Sequence, residues 1–257
     1  MKQIIHLSDL HIGYGDLTRR FAAIVDNIVY AMQPPHRYVV VVTGDLVDSA
    51  APPSNFPTAR RQLGRLEQAG FTVLVIPGNH DYGTGILGDK RYVRRFKEVF
   101  FGDPELEYPK LDLIEGTALI GLDSMAEELA WNDRLFAEGE IGQDQLKRTA
   151  ALLNSRAVRR CRRRVIYLHH HPFDKLPFRQ LKDAGSLGAL LRRHADIDAL
   201  LYGHRHVGRK ANGSWGIPRC YDGGSATRKL GAAGAHRVIH LGRDPRLDFD
   251  GDFHGNG

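Results

Sequence analysis

The sequence predicts an α/β layered domain. Two observations carry that expectation: strand-like and helix-like segments alternate along most of the chain, and the run Tyr38-Val39-Val40-Val41-Val42-Thr43 is apolar and β-branched almost without interruption. Alternation of the two kinds of segment is the pattern of helices packed against a sheet. A continuous β-branched run is the pattern of a strand covered on both faces.

The elements follow in order. Gln3 to Ser8 reads as the first strand. Leu17, Phe21, Ile24, Val25, Ile28 and Met32 recur at helical spacing, so a helix follows and stops before Pro34-Pro35. After the valine strand, a polar helix over Thr58 to Gln68 ends at Gly70, and Phe71 to Ile76 forms the next strand. The pattern then predicts a helix over Tyr92 to Phe101, a strand over Ala118 to Leu122 and a helix over Gln143 to Val158. Val165 to Leu168, Ala199 to Tyr202 and His236 to Leu241 complete the strands. Ser124 to Gly142 is the longest stretch without periodicity and reads as a lid or binding loop. Its Trp131 and Phe136 are candidates for stacking on a base, although packing such a loop onto the core is the commoner fate of these side chains. The chain reads as one domain over 1–257, with a frayed tail from about Asp248 to Gly257.

Composition narrows the function classes. No apolar run approaches the roughly 18 residues of a membrane span, so none is expected. Gln3 to Leu7, directly after Met1-Lys2, reads as a strand and not as the apolar core of a signal peptide. Cys161 and Cys220 are far apart and in no metal-type spacing, which suits reduced thiols of a cytoplasmic protein. The net charge of +6 suits anionic partners. The run Arg159-Arg160-Cys161-Arg162-Arg163-Arg164 reads as the charged end of a helix ahead of a buried strand. Nucleic acid is compatible with that charge but is not favoured, because aromatic interleaving and a recognition motif are both missing.

The chemistry lies in the residues just past each strand. Ser8-Asp9-Leu10-His11 ends the first and Thr43-Gly44-Asp45-Leu46-Val47-Asp48 the second. Pro77-Gly78-Asn79-His80-Asp81, Leu168-His169-His170-His171-Pro172 and Tyr202-Gly203-His204-Arg205-His206 end three more. Open α/β sheets bind ligands beyond the carboxyl ends of their strands, so the five clusters can converge in one crevice. Each alone would more often be a turn with a satisfied side chain; five in order, all offering oxygen or imidazole donors, point to a metal site. Carboxylate, amide oxygen and imidazole without thiolate suit two borderline cations such as Mn, Fe or Zn. Asp45 is the candidate bridge between them, since Gly44 lets the backbone turn sharply there. His204 and His206, alternate residues of an extended segment, should point the same way, and Arg205 away from them.

The pattern Asp-x-His, Gly-Asp-x-x-Asp, Gly-Asn-His-Asp, His-x-Pro and Gly-His-x-His, running from Asp9 to His206, resembles the calcineurin-like metallophosphoesterase superfamily. The resemblance implies a four-layer α/β/β/α sandwich of two mixed sheets with a dinuclear metal site at the strand ends. It implies Asp9, His11, Asp45 and His206 around one metal, and Asp45, Asn79, His170 and His204 around the other. His170 is selected from the three consecutive histidines by the His-x-Pro spacing. His80 resembles the family's active-site histidine, which contacts the phosphate or leaving group without binding metal. Asp48 and Asp81 would orient imidazoles, Asp81 holding the His80 ring. The Leu-His-His-His-Pro form and the Gly139 to Leu153 region are similar to the class III cyclic nucleotide phosphodiesterase branch.

The expectation is therefore a hydrolase that cleaves phosphodiesters by in-line attack of a metal-bound hydroxide, with a small nucleotide, cyclic nucleotides first, as substrate. The rival is a broader phosphomonoesterase, or a hydrolase of nucleotide-sugar lipids. A DNA-end nuclease of the same superfamily would be expected to carry further DNA-binding domains after the last motif. An inactive binding scaffold would be expected to lack ligands, and none is missing. Tyr14, the Pro52 to Asn55 loop, the Tyr82 to Asp89 loop and Ser124 to Gly142 are the expected walls of the substrate site.

Overall fold

The computed structural model of the protein describes residues 2–84, 88–125, 138–176, 179–194, 196–231, 236–242 and 244–251. In chain order it contains β1 (Gln3–Leu7), α1 (Leu17–Ala31), β2 (Tyr38–Thr43), α2 (Asn55–Gln68), β3 (Thr72–Ile76), α3 (Lys90–Phe101), β4 (Lys110–Ile114) and β5 (Thr117–Gly121). Then come α4 (Gln143–Asn154), α5 (Arg156–Arg159), β6 (Arg163–Tyr167), α6 (Ala184–Arg192), β7 (Ala199–Tyr202), β8 (Arg219–Asp222), β9 (His236–Ile239) and β10 (Phe249–Gly251).

The strands form two mixed sheets. One has the order β10-β9-β1-β2-β3, with β1, β2 and β3 parallel and β9 antiparallel to both its neighbours. The other has the order β4-β5-β6-β7-β8, parallel except for the antiparallel edge strand β4. Side-chain alternation along each strand decides what the faces do. On β2, Val39 and Val41 join Val165, Tyr167, Ala199 and Leu201 in a core between the sheets. Val40 and Val42 face the other way, against Phe21, Ile24 and Ile28 of α1 and Phe56 and Leu63 of α2. The second sheet repeats the arrangement, with Ile166 and Leu200 against Leu146, Leu153, Leu187 and Leu191 of α4 and α6. Two helix layers thus enclose two sheets, as the four-layer expectation required. Both faces of each central strand are buried, which is why the valine run carries no polar residue.

Several elements depart from the sequence pattern. The helix expected over Gln143 to Val158 breaks at Ser155, whose side chain caps α5 by accepting from the Val158 N–H. The pattern missed β4, β8, β10 and α6. Asp248 is not frayed: its buried carboxylate accepts from Arg219 Nε at 2.8 Å and from the Tyr221 hydroxyl at 2.8 Å. Phe249–Gly251 then pairs with β9. Trp131, Phe136 and residues 252–257 lie outside the described residues. Among the described residues no helix is long and apolar enough to cross a membrane.

Candidate metal centre

The loops that leave β1, β2, β3, β6 and β7 at their carboxyl ends bring the polar clusters together. Asp9 Oδ2 accepts from the Ser8 hydroxyl at 2.5 Å and from the His204 backbone N–H at 3.0 Å. That leaves Oδ1 facing His206 Nε2 at 3.0 Å and His11 Nε2 at 4.0 Å. His11 Nε2 lies 3.1 Å from His206 Nε2 and 3.7 Å from Asp45 Oδ2. One donor atom each from Asp9, His11, Asp45 and His206 falls within 4.8 Å of the others.

A second group adjoins the first. Asn79 Oδ1 is 3.1 Å from His204 Nδ1 and 3.1 Å from His169 Nε2, and the two rings approach at 3.3 Å. His169 Nε2 is also 3.4 Å from Asp45 Oδ2. The same Asp45 oxygen therefore stands between the two groups. The nitrogen that meets Asp45 Oδ2, Asn79 Oδ1 and His204 Nδ1 is His169 Nε2, while the ring of His170, the residue selected by the His-x-Pro spacing, has its centroid 4.4 Å from that of His204. His170 pairs its Nδ1 with the Ser124 hydroxyl at 2.8 Å.

The Thr43 carbonyl fixes a proton on His169 Nδ1. His169 Nδ1 donates to the Thr43 carbonyl at 2.8 Å, so the ring, once neutral, points a lone pair at Asn79 and Asp45. His11 Nδ1 faces both Asp48 Oδ1 at 3.3 Å and Lys229 Nζ at 3.2 Å, and the ring turns Nε2 inward. With neutral imidazoles, acceptor meets acceptor at contact distance, and among the described residues buried Asp9 Oδ1 accepts no aligned hydrogen bond. A cluster of inward lone pairs and carboxylate oxygens fits a pair of divalent cations.

Backbone geometry is unusual at these positions. Asp9, His11, Asp45, His204 and His206 all have positive φ, between 46° and 74°. Such residues cost of order 1–3 kcal/mol each and persist where surrounding structure holds them. His204 and His206 consequently do not share one direction along an extended segment, as alternation implied; the bend sends one ring to each donor group. Arg205 does point away, to Asp174 Oδ2 at 3.0 Å. Gly44 turns at φ +83°, and a Cβ there would lie 2.6 Å from His169 Nδ1. At Gly78 a Cβ would lie 2.5 Å from the Asp45 backbone nitrogen. The two motif glycines are thus the places where β2 and β3 loops press against ligands from other strands.

Electrostatics follow from crowding carboxylates with imidazoles. Burial pushes Asp9 up, but His206 and then His169 outweigh it and hold the carboxyl down to about 2. Burial likewise opposes ionisation of Asp45, and His169, His80 and His11 together pull it well below the usual carboxylate range. Burial disfavours a charge on His169, yet Asp45 and Asp9 raise it to about 10 in the metal-free protein. His204 goes the opposite way, lowered by burial and then by His170 and His169.

The residues around the donors take different parts. His80 Nδ1 donates to the Asp48 carbonyl at 2.5 Å, and its ring stands edge-on to His11 with centroids 4.7 Å apart. Asp48 therefore holds both rings, His11 by its carboxylate and His80 by its backbone. Asp81 holds neither. Its fully buried carboxylate accepts from the backbone N–H groups of Leu46, Val47 and Gly78 at 3.1, 3.0 and 2.9 Å, tying the β2 and β3 loops together. Burial and then the Asp45 charge push Asp81 up to about 7, against those amides. Tyr82 is buried and donates to Asp123 Oδ2 at 2.7 Å, so its ring supports the core instead of walling the site. Sequence reasoning missed the segment after β8: Ser225 Oγ donates to the Asp9 carbonyl at 3.0 Å, and Lys229 Nζ reaches Asp48 Oδ1 at 2.5 Å and His11 Nδ1 at 3.2 Å. The Gly223-Gly224-Ser225 turn at a strand end was the available signal.

A family model described as calcineurin-like phosphoesterase matches residues 2–208. The crystal structure of a dimetal phosphatase from Danio rerio superimposes with a TM-score of 0.65 at 13% identity, covering 96% of this chain and 98% of that one. A Thermus thermophilus protein superimposes with a TM-score of 0.62 at 15% identity, covering 98% and 99%. At such identities the likeness is one of fold. In sequence, the chain is 35% identical over 89 residues to the DNA double-strand break repair protein Mre11 of Sulfurisphaera tokodaii, a match covering 31% of this chain and 22% of the relative. It is 29% identical over 99 residues to the D subunit of the nuclease SbcCD of Escherichia coli K12, covering 37% and 24%. The chain thus spans about a quarter of the length of these two relatives.

Proposed function

The chain belongs to the calcineurin-like phosphoesterase family, and on that premise we propose that it hydrolyses phosphodiesters of the nucleotide class, cyclic nucleotides first among them. The observation that supports this reading most is the Asp45 carboxylate oxygen lying between two donor groups. Asp9, His11, Asp45 and His206 would hold one cation, and Asp45, Asn79, His169 and His204 would hold the other. The donor set suits Mn, Fe or Zn. When bound, such a pair supplies an activated water and neutralises charge on a phosphoryl group undergoing in-line displacement.

The remaining work falls to the chain's own residues. Asp48 fixes the His11 ring so that Nε2 faces inward. His80, its Nδ1–H committed to the Asp48 carbonyl, keeps Nε2 for the leaving-group oxygen, to which the doubly protonated ring gives its Nε2 proton and is left neutral. Asp81 keeps the Asp45 and Asn79 loops in register. A cytoplasmic setting is part of this reading, supported by the free thiols of Cys161 and Cys220.

The two sequence relatives, a component of a nuclease and a DNA repair protein by name, support a second reading in which the diester is a DNA backbone. One experiment separates the two: turnover of cyclic nucleotides, linear nucleotide diesters, open-ended duplex DNA and aryl phosphate monoesters, with metal content measured on the same sample. Cyclic or linear nucleotide diesters should turn over fastest. Duplex DNA as the best substrate would favour the second reading, and two bound metals without any diester turnover would overturn both.

A further inference from the structure

The end of the second sheet away from the metal centre carries an arginine cluster that the centre does not use. β6 and β7 run parallel and deliver His169 and His204 at their carboxyl ends. Their amino ends therefore lie at the opposite pole, roughly 15 Å away at about 3.3 Å per residue. There, exposed Arg156, Arg159, Arg160 and Arg162 come from α5 and the turn into β6, and exposed Arg192 and Arg193 from the end of α6. Arg159 and Arg193 line one open cavity of about 550 Å³, together with Leu153, Asn154, His194 and Asp196. The fold thus joins two basic runs that are separate in sequence.

The acids nearby are already committed. Asp198 pairs with Arg163 at 2.6 Å, and Asp196 with Arg164 at 2.7 Å. Glu115 sits at the rim, on the β4–β5 turn whose Gly116 carbonyl accepts from the Arg162 N–H at 2.8 Å. Among the described residues the six exposed arginines form no ion pair.

We propose that this cluster is a nucleic-acid docking surface that grips the phosphodiester backbone without reading base sequence. Arginine suits that ligand, because its planar guanidinium stays charged and presents two parallel donors to phosphate oxygens. No large exposed apolar side chain sits on α5, α6 or the turn into β6, so the surface has neither a platform for base stacking nor a wedge for a bilayer. Contacts confined to phosphates position a duplex and carry no sequence information. The surface does not depend on what the metal centre hydrolyses.

The test is fluorescence anisotropy of a labelled DNA duplex of about 30 base pairs across about 50–200 mM salt. The intact protein is compared with a variant carrying Arg159→Gln, Arg160→Gln, Arg192→Gln and Arg193→Gln. These positions are exposed, so the neutral variant should keep its melting temperature and metal content. If the arginines engage four or more phosphates, wild-type affinity falls roughly a hundredfold or more across that salt range. The variant should bind at least about tenfold more weakly, with a shallower salt slope. Equal binding by the two proteins overturns the proposal. So does an absence of binding at low salt, or binding to phosphatidylserine vesicles in place of the duplex.

Discussion

Replacing His169 with alanine tests the donor register at the end of β6. The His169 Nε2 lies 3.1 Å from Asn79 Oδ1, 3.3 Å from His204 Nδ1 and 3.4 Å from Asp45 Oδ2, so under the proposed assignment the ring would be one of four donors to the second cation. Changes to groups that merely orient metal ligands cost about 10–100-fold in affinity. Losing a donor should cost more, and one of two metal equivalents should weaken by about 100-fold or beyond. The other equivalent, held by Asp9, His11 and His206, should remain. His170→Ala removes instead a bond to the Ser124 hydroxyl at 2.8 Å, worth about 1 kcal/mol, together with some packing. That variant should melt earlier but keep both metals. Elemental analysis, calorimetric titration of metal and urea melts on both variants decide the matter. Loss of a metal equivalent from His170→Ala, with His169→Ala retaining two, would refute the reasoning.

Three further outcomes rest on the same geometry. In Gly78→Ala the new methyl cannot escape the Asp45 backbone nitrogen by rotation, so the loops must part by about 1 Å, a displacement that can cost about 100-fold in rate; unchanged kcat/KM on an aryl phosphate would contradict that crowding. His169, raised to about 10 from the ordinary 6.5 in the metal-free protein, must shed its Nε2 proton to bind a cation. Metal binding near pH 7 should therefore release a proton and tighten as pH rises toward about 10. The same shift stabilises the metal-free fold fully below pH 6.5, an increment lost as pH climbs through about 10, and indicator-dye titration without proton release would contradict the account. His80→Ala should keep both metals and lose roughly 10²–10⁴-fold on a nucleotide ester but much less on an aryl phosphate, whose leaving group barely needs a proton; equal losses would show that His80 positions phosphate instead.

Much of the site was legible because polar clusters directly follow apolar runs, and parallel strands deliver their carboxyl ends to one edge. The histidine register was not, because the His-x-Pro spacing that selects His170 does not say which face of β6 each ring takes. Strand parity decides which ring faces Asp45 and Asn79. Val165 and Tyr167 face the core between the sheets, so His169 points to the same side, where Asp45 and Asn79 arrive from the other sheet. Ile166 and Leu168 face the helices, and His170 follows them toward Ser124. Which face of β6 looks inward is a property of sheet packing, and local sequence does not carry it. β4 and β8 escaped for a related reason. Lys110 and Asp112 pair with each other on an edge strand, and Arg219 is buried only because Asp248, distant in sequence, meets it. The part of Asp81 was hidden too, since a carboxylate that holds three backbone amides looks in sequence like one that holds a ring.

The central claim is that one carboxylate serves two cations, and the metal content of Asp45→Ala tests it most directly. Wild-type protein, loaded and desalted, should retain two equivalents by elemental analysis. The variant should fall toward none while His11→Ala keeps about one. An Asp45→Ala protein that still holds two full equivalents would contradict the shared site and the hydrolysis built on it.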